Sequence, residues 1–357
     1  MAETTNIEWC DATFNPWMGC TRVSPACDDC YAARSTPART LGVTWGAGAL
    51  RRRTSDANWK LPLQWNAKAA REGRRLRVFC ASLADVFDNE VPGQWRRDLF
   101  DLIEATPHLD WLLLTKRIGN ARRLYADAYL DSARPWPANV WLGATVCNQD
   151  EADRDIPKLL DVPARVRFLS IEPMLGGIDL RHLNDGRETN EIDALKQWTW
   201  EQEIEAWRGT APDWEDDFED WYGKRPEGLA GPMHNRIDWV ICGGESGPKA
   251  RPMHPGWARL LRDQCAAAGV PFLFKQWGEW REKDTGMPEP LVAREGDPDF
   301  EAELDEHDGF LSLAGHFVTD PDDMEDGMPY RGLQRLTKKV AGRLLDGRTH
   351  DEFPAVA

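Results

Sequence analysis

Short runs of apolar and β-branched residues end in polar or glycine-containing loops, and between them lie stretches whose apolar positions recur at helical spacing. Residues 77–83 (RVFCASL) read as a strand, and the segment after Pro92 then puts Trp95, Leu99, Leu102 and Ile103 on one helical face. Residues 111–115 (WLLLT) form a second strand pattern before the helical IGNARRLYADAYL, and residues 140–146 (VWLGATV) a third before DEADRDIPKLL. Residues 166–171, 237–242 and 271–274 continue the series, with a helix WARLLRDQCAAAG stopping at Gly269 between the last two. A short strand over 6–9 would make seven. This alternation predicts βα units around a parallel sheet, and the number of strands suits a complete or partial barrel.

Such folds meet ligands at the carboxyl ends of their strands, where side chains and helix N-termini converge. Position alone therefore selects Ser82, Asp85, Thr115, Lys116, Thr145, Asn148, Glu172 and the turn Gly243-Gly244-Glu245-Ser246. Several of these residues also admit a purely structural role. Glu172 precedes Pro173 and could cap a turn, Lys116 and Arg117 could be a surface pair, and Gly243-Gly244 could serve only a tight bend.

The pattern breaks over 185–232, a Trp- and acid-rich insertion between two strands, which reads as a helical lid packed on the barrel or as a partner surface. Residues 284–328, rich in Pro, Gly and acid, read as a long mobile loop. The expected organisation is a barrel domain over 1–283 carrying the insertion, followed by an acidic loop and C-terminal extension over 284–357 that packs on it. The formal charge of -16 is concentrated in those acidic stretches. Residues 185–227, 284–308 and 320–326 together carry -23 and leave +7 for the rest of the chain. Arg51 to Arg53, and then Arg71, Arg74, Arg75 and Arg77, form basic runs that could meet a phosphate-bearing partner or lie as solvated faces.

No stretch approaches the roughly 20 apolar residues that cross a bilayer, and MAETTNIEWCDATF lacks the features of a signal peptide. A cytoplasmic protein with no membrane partner is expected. Eight cysteines in 357 residues are too sparse for a disulfide scaffold, so a cluster of them points to metal ligation or reactivity. Cys20, Cys27 and Cys30, spaced C-x6-C-x2-C, are such a cluster, with Gly19 and Pro25 suited to the turns of a wrapping loop. Three thiolates can hold a 4Fe-4S cubane with one iron open. With Cys10 or a distant His as fourth ligand they would instead satisfy a structural zinc site. Cys80, Cys147, Cys242 and Cys265 read as core residues, and His254 as a surface or packing residue. No Ser-His-Asp order, Gly-Lys-Ser/Thr phosphate loop or HExxH motif occurs, so hydrolase and nucleotide-kinase chemistry lack their residues.

The motifs NPWMGCTRVSPACDDCYA, ASLADVFD, LLLTKR, LGATV, LSIEPMLG, ICGGESG and KKVAGRLLDGRTHDEFP resemble those of a bacteriophage-associated family of unassigned function, the three-Cys-motif proteins. That family in turn resembles radical S-adenosylmethionine enzymes, in particular the branch containing spore photoproduct lyase. The usual C-x3-C-x2-C spacing is widened here, and an aromatic, Tyr31, follows the third cysteine instead of preceding it. The resemblance implies an α/β fold of the partial (β/α)6, TIM-like type opened by a cysteine-cluster loop. It implies that Cys20, Cys27 and Cys30 ligate a 4Fe-4S cluster whose open iron binds S-adenosylmethionine. Ser82 and Asp85 would face the methionyl amine, and Thr115, Lys116 and Thr145 the ribose and carboxylate. Glu172, Gly243, Gly244 and Glu245 would be further cofactor or substrate contacts. Cleavage of S-adenosylmethionine would yield a 5'-deoxyadenosyl radical that takes hydrogen from a substrate, a nucleic-acid base or nucleotide, with an electron-donor protein as partner. The competing expectation is a non-catalytic, zinc-stabilised module that binds nucleic acid or protein.

Overall fold

The computed structural model describes residues 5, 7–35, 39–131, 134–184, 191–197, 236–282, 291–292, 307–325 and 328–355. The Trp-rich part of the insertion, from 198 to 232, lies outside the described residues, as does most of 283–306.

Seven strands form one sheet: β1 (Ala12–Phe14), β2 (Leu76–Cys80), β3 (Leu109–Thr115), β4 (Val140–Thr145), β5 (Val166–Ile171), β6 (Trp239–Gly243) and β7 (Phe272–Gln276). Every neighbouring pair is parallel, and the order across the sheet is the order along the chain. Parallel crossovers share one hand, so a strand order that never reverses keeps all connecting helices on one face and lets the sheet curl around the other. The result is a curled parallel half-barrel in an α/β fold.

The helices are α1 (Leu61–Glu72), α2 (Gly93–Glu104), α3 (Ala121–Tyr129), α4 (Gln149–Leu160) and α5 (Pro255–Ala268). Their buried residues share one apolar cluster with alternate strand positions such as Trp111, Leu113, Leu142 and Val240. The intervening positions, Phe79, Leu112, Trp141, Phe168, Trp239, Ile241 and Leu273, form a second cluster on the inner face. Unbroken apolar runs such as WLLL are what a strand covered on both faces requires. Gly143 gives the inner face its floor: a Cβ there would stand 2.4 Å from the Phe168 ring.

Three expectations change. The first strand is Ala12–Phe14, not residues 6–9, because Asp11 locks the register: its N–H donates to the Arg77 carbonyl and its carboxylate accepts from the Arg77 N–H. Trp9 instead turns into the inner cluster, 4.5 Å from the Phe79 ring. The described part of the expected 284–328 loop contains short strands that join a sheet with its flanking segments. β8 (Trp280–Glu282), β9 (Gly309–Ser312), β10 (Phe317–Val318) and β11 (Pro329–Arg335) make an antiparallel sheet, with Leu291–Val292 also pairing β11. Phe310, Val318, Met324 and Tyr330 give it an apolar cluster of its own, which the surrounding acids obscure in composition. The basic runs are largely consumed internally. Arg51 pairs with Asp88 and Glu90, Arg53 with Asp98, Arg74 with Glu72, Arg75 with Asp110 and Arg77 with Asp11.

The C-terminal segment returns to the half-barrel. The Phe274 N–H donates to the His350 carbonyl, the Trp239 indole to that of Glu352, and Arg77 of β2 lies 4.0 Å over the Phe353 ring. Among the described residues no helix is long and apolar enough to cross a membrane.

Helix α5 ends at Gly269 in the left-handed conformation, as its sequence predicts, and begins at a side-chain cap, the His254 Nδ1 accepting from the Gly256 N–H at 3.0 Å. Burial, aided by the charges of Arg331 and Arg259, pushes this imidazole down to about 4. Below the ordinary value near 6.5 the unfolded chain takes up a proton that the folded chain refuses until about pH 4. The contribution is therefore complete above pH 6.5 and is lost as pH falls toward 4, by up to about 3 kcal/mol. Urea midpoints at pH 7.5 and 4.5 should fall further for the wild type than for His254→Asn, which keeps a capping acceptor without the titration. Equal falls would remove His254 as the cause.

Candidate functional site

At the carboxyl ends of the strands, on the inner face, lies a cavity of about 480 Å³. Trp9, Phe79 and Leu114 line its apolar side, and strand ends supply Thr145, Ser170, Glu172, Lys275 and Gln276. The cysteine loop completes the wall with Cys20, Cys30 and Tyr31.

That loop is fastened to the end of β2. Gly19, at φ 103, donates its N–H to the Leu83 carbonyl, and Asn15 accepts the Leu83 N–H while its amide donates to Ser82 Oγ. Ser24 caps the turn Pro25–Cys27, and Cys30 immediately precedes the short helix Tyr31–Arg34. Arg251 holds the loop from the opposite side of the cavity, donating to the Pro25 carbonyl and to Asp28, while Glu245 grips its guanidinium at 2.7 Å. Glu245 thus positions Arg251.

Asp85 joins β3 to the cysteines. Its carboxylate accepts from Thr115 Oγ1 at 2.7 Å, from the N–H groups of Phe87 and Lys116, and from Arg117 Nη1 at 3.0 Å. The same Arg117 nitrogen lies 3.3 Å from Cys20 Sγ, and its neighbour donates to the Thr21 carbonyl. Burial opposes the Arg117 charge, but Asp85 and Cys20 outweigh it and raise its pKa. Burial, with the charge of Asp85, pushes the Cys20 thiol up to about 11 against the pull of Arg117.

Glu172 accepts two 2.8 Å bonds from Lys275 and one from the Gln276 amide. Lys116 Nζ reaches Thr145 Oγ1 at 3.5 Å. The two glycines separate in role. A Cβ on Gly243 would stand 3.2 Å from Glu172, whereas one on Gly244 would stand 1.9 Å from the Trp277 carbonyl, so Gly244 serves the close packing of two backbones.

Ser82, Asp85, Thr115, Lys116, Thr145, Glu172, Gly244 and Glu245 therefore surround one cavity together with Cys20 and Cys30; Gly243 and Cys27 are not in its lining. The donors suit a thiophilic centre in kind, being three thiols within eleven residues on a fastened loop, of which Cys20 and Cys30 line the cavity. Among the described residues no group of three His, Cys, Asp or Glu side chains is drawn together as a metal site. Cys10, Cys80, Cys147, Cys242 and Cys265 are buried, the last four as expected of core residues. The strand-end rule would also have found Lys275 and Gln276 had β7 been read two residues further. Arg117 follows Lys116 directly. Arg251 carried no local signal, because its partners are remote in sequence.

Fold and site define a curled α/β half-barrel with a ligand-sized, thiol-bearing cavity at its carboxyl end. The chain belongs to the family described as protein of unknown function DUF5131, whose pattern matches residues 4–354. No curated protein and no solved structure matches it.

Proposed function

We propose that the protein is a radical S-adenosylmethionine enzyme on a partial (β/α)6 barrel, acting in a reducing compartment and fed by an electron-donor protein. The observation that carries this reading is that the loop of Cys20, Cys27 and Cys30 and the strand-end polar residues meet at one cavity. Cys20, Cys27 and Cys30 would hold a 4Fe-4S cluster. When bound, that cluster supplies an open iron and one electron to S-adenosylmethionine, whose carbon–sulfur cleavage gives a 5'-deoxyadenosyl radical that takes hydrogen from the substrate.

The chain's own residues bind and exclude. Lys116 and Thr145 offer a cation and a hydroxyl to the cofactor carboxylate and ribose. Ser82 lies beside the loop, where a methionyl amine would be received. Asp85 and Thr115, fully engaged with Arg117 and the loop backbone, fix the approach of Cys20. The Lys275–Glu172–Gln276 network closes the other wall. Trp9, Phe79 and Leu114 keep the inner end apolar, which withholds water from a reactive intermediate.

Anaerobic purification and reconstitution tests the proposal. About four iron and four labile sulfide per chain, with 5'-deoxyadenosine formed on reduction, are expected. One zinc per chain and no iron would replace this reading with the zinc-stabilised binding module.

A further inference from the structure

Two arginines grip the cysteine loop, and each is held by a buried carboxylate. Arg251, held by Glu245, reaches the second arm of the loop at the Pro25 carbonyl, 2.9 Å away, and at Asp28, 3.1 Å away. Arg117, held by Asp85, reaches the first arm at the Thr21 carbonyl, 2.6 Å away, and at Cys20 Sγ, 3.3 Å away. Of the two, only Arg117 reaches a sulfur.

The residues that end β3 put it there. The Thr115 hydroxyl donates to Asp85 at 2.7 Å and accepts the Arg117 N–H at 2.8 Å, which fixes the backbone just beyond the strand. The Arg117 side chain is then only 8 % exposed, and its Nη1 bridges the Asp85 carboxylate, at 3.0 Å, and the sulfur. Solvent screens charges at such burial weakly, so their effect on a neighbouring sulfur is strong.

A metal centre held by Cys20 would therefore have one fixed cation at its ligand and one fixed carboxylate behind that cation. Reduction of an iron–sulfur core adds one electron, and charge and hydrogen bonds at the ligating sulfurs set how readily it is accepted. A cation stabilises the added negative charge, and a carboxylate opposes it.

We propose that Arg117 and Asp85 are a charge pair that sets the reduction potential of the centre bound by the cysteine loop, Arg117 raising it at the Cys20 sulfur and Asp85 lowering it. Both are positioning residues that act through Cys20. The proposal rests on the radical-enzyme reading and deepens it, because this potential decides whether the electron-donor protein can deliver its electron.

Redox titration of the reconstituted full-length protein with dithionite as electron source, followed by electron paramagnetic resonance of the reduced cluster, tests it. Only assembled clusters are read, so partial loading does not alter the result. Arg117→Gln should lower the midpoint potential by about 59 mV or more, a tenfold loss in the reduction equilibrium. Arg117→Lys keeps the charge and should recover most of that shift. Asp85→Asn removes the opposing charge and should move the potential upward. Arg251→Gln loosens the loop without touching a sulfur, and should reduce iron content while shifting the potential less than Arg117→Gln does.

Equal potentials in wild type and Arg117→Gln, shifts of one sign in Arg117→Gln and Asp85→Asn, or an equal shift in Arg251→Gln overturn the proposal and leave the radical-enzyme reading standing. Should Arg117→Gln assemble no cluster, Asp85→Asn carries the test, and a potential at or below that of the wild type overturns the proposal. A wild-type chain that assembles no cluster overturns the reading and the proposal together.

Discussion

Single replacement of Cys20, Cys27 or Cys30 by alanine is expected to lower reconstituted iron to well under half the wild-type content and 5'-deoxyadenosine formation by more than about a hundredfold. A three-thiolate site has no spare ligand, so each sulfur should matter equally although the surroundings differ: Cys20 and Cys30 line the cavity and Cys27 does not. Cys265→Ala, on the buried face of α5 in the apolar cluster of the helical face, is the matched control and should retain its iron. Iron retained in any one of the three loop variants at the wild-type level would remove that cysteine from the ligand set. Retention in all three would end the radical-enzyme reading.

The largest expected loss of stability follows Asp85→Ala. This carboxylate is 4 % exposed and accepts four hydrogen bonds, and its partner Arg117 is nearly as buried. Removing one member of a buried ion pair strands the other charge, a cost of about 3–5 kcal/mol. The urea unfolding midpoint reports it. Asp85→Asn should lose less, since an amide oxygen can still accept from Thr115 or a backbone N–H. Because Arg117 also touches Cys20, both variants should bind iron more weakly than their loss of stability alone explains. A loss below about 1 kcal/mol for Asp85→Ala would mean that water substitutes for the carboxylate, as at an exposed pair.

Much of this protein was legible in the linear pattern. Strand β5 falls on the residues predicted, and β2, β3, β4, β6 and β7 differ from expectation only at their ends, because apolar runs of that length must be covered on both faces. The same logic located Ser82, Asp85, Thr115, Lys116, Thr145 and Glu172 in the cavity lining, since in a parallel sheet all strands present their carboxyl ends to one side. The acidic C-terminal region was misjudged for a compositional reason: the strands Gly309–Ser312 and Phe317–Val318 are short and lie among many acids, which depress any window average.

By itself the sequence determined the parallel sheet, its helices and the edge at which chemistry can occur, because hydrophobic period and turn residues are local properties. Which charges are spent and which remain was decided only by the tertiary structure. Arg117 meets Cys20 across 97 positions and Arg251 meets Asp28 across 223. The basic runs, free in the linear reading, are largely absorbed by carboxylates brought from elsewhere, whereas Lys338, unremarkable in sequence, is brought to the cavity wall. Electrostatic pairing depends on distance in space, and chain separation carries no record of it.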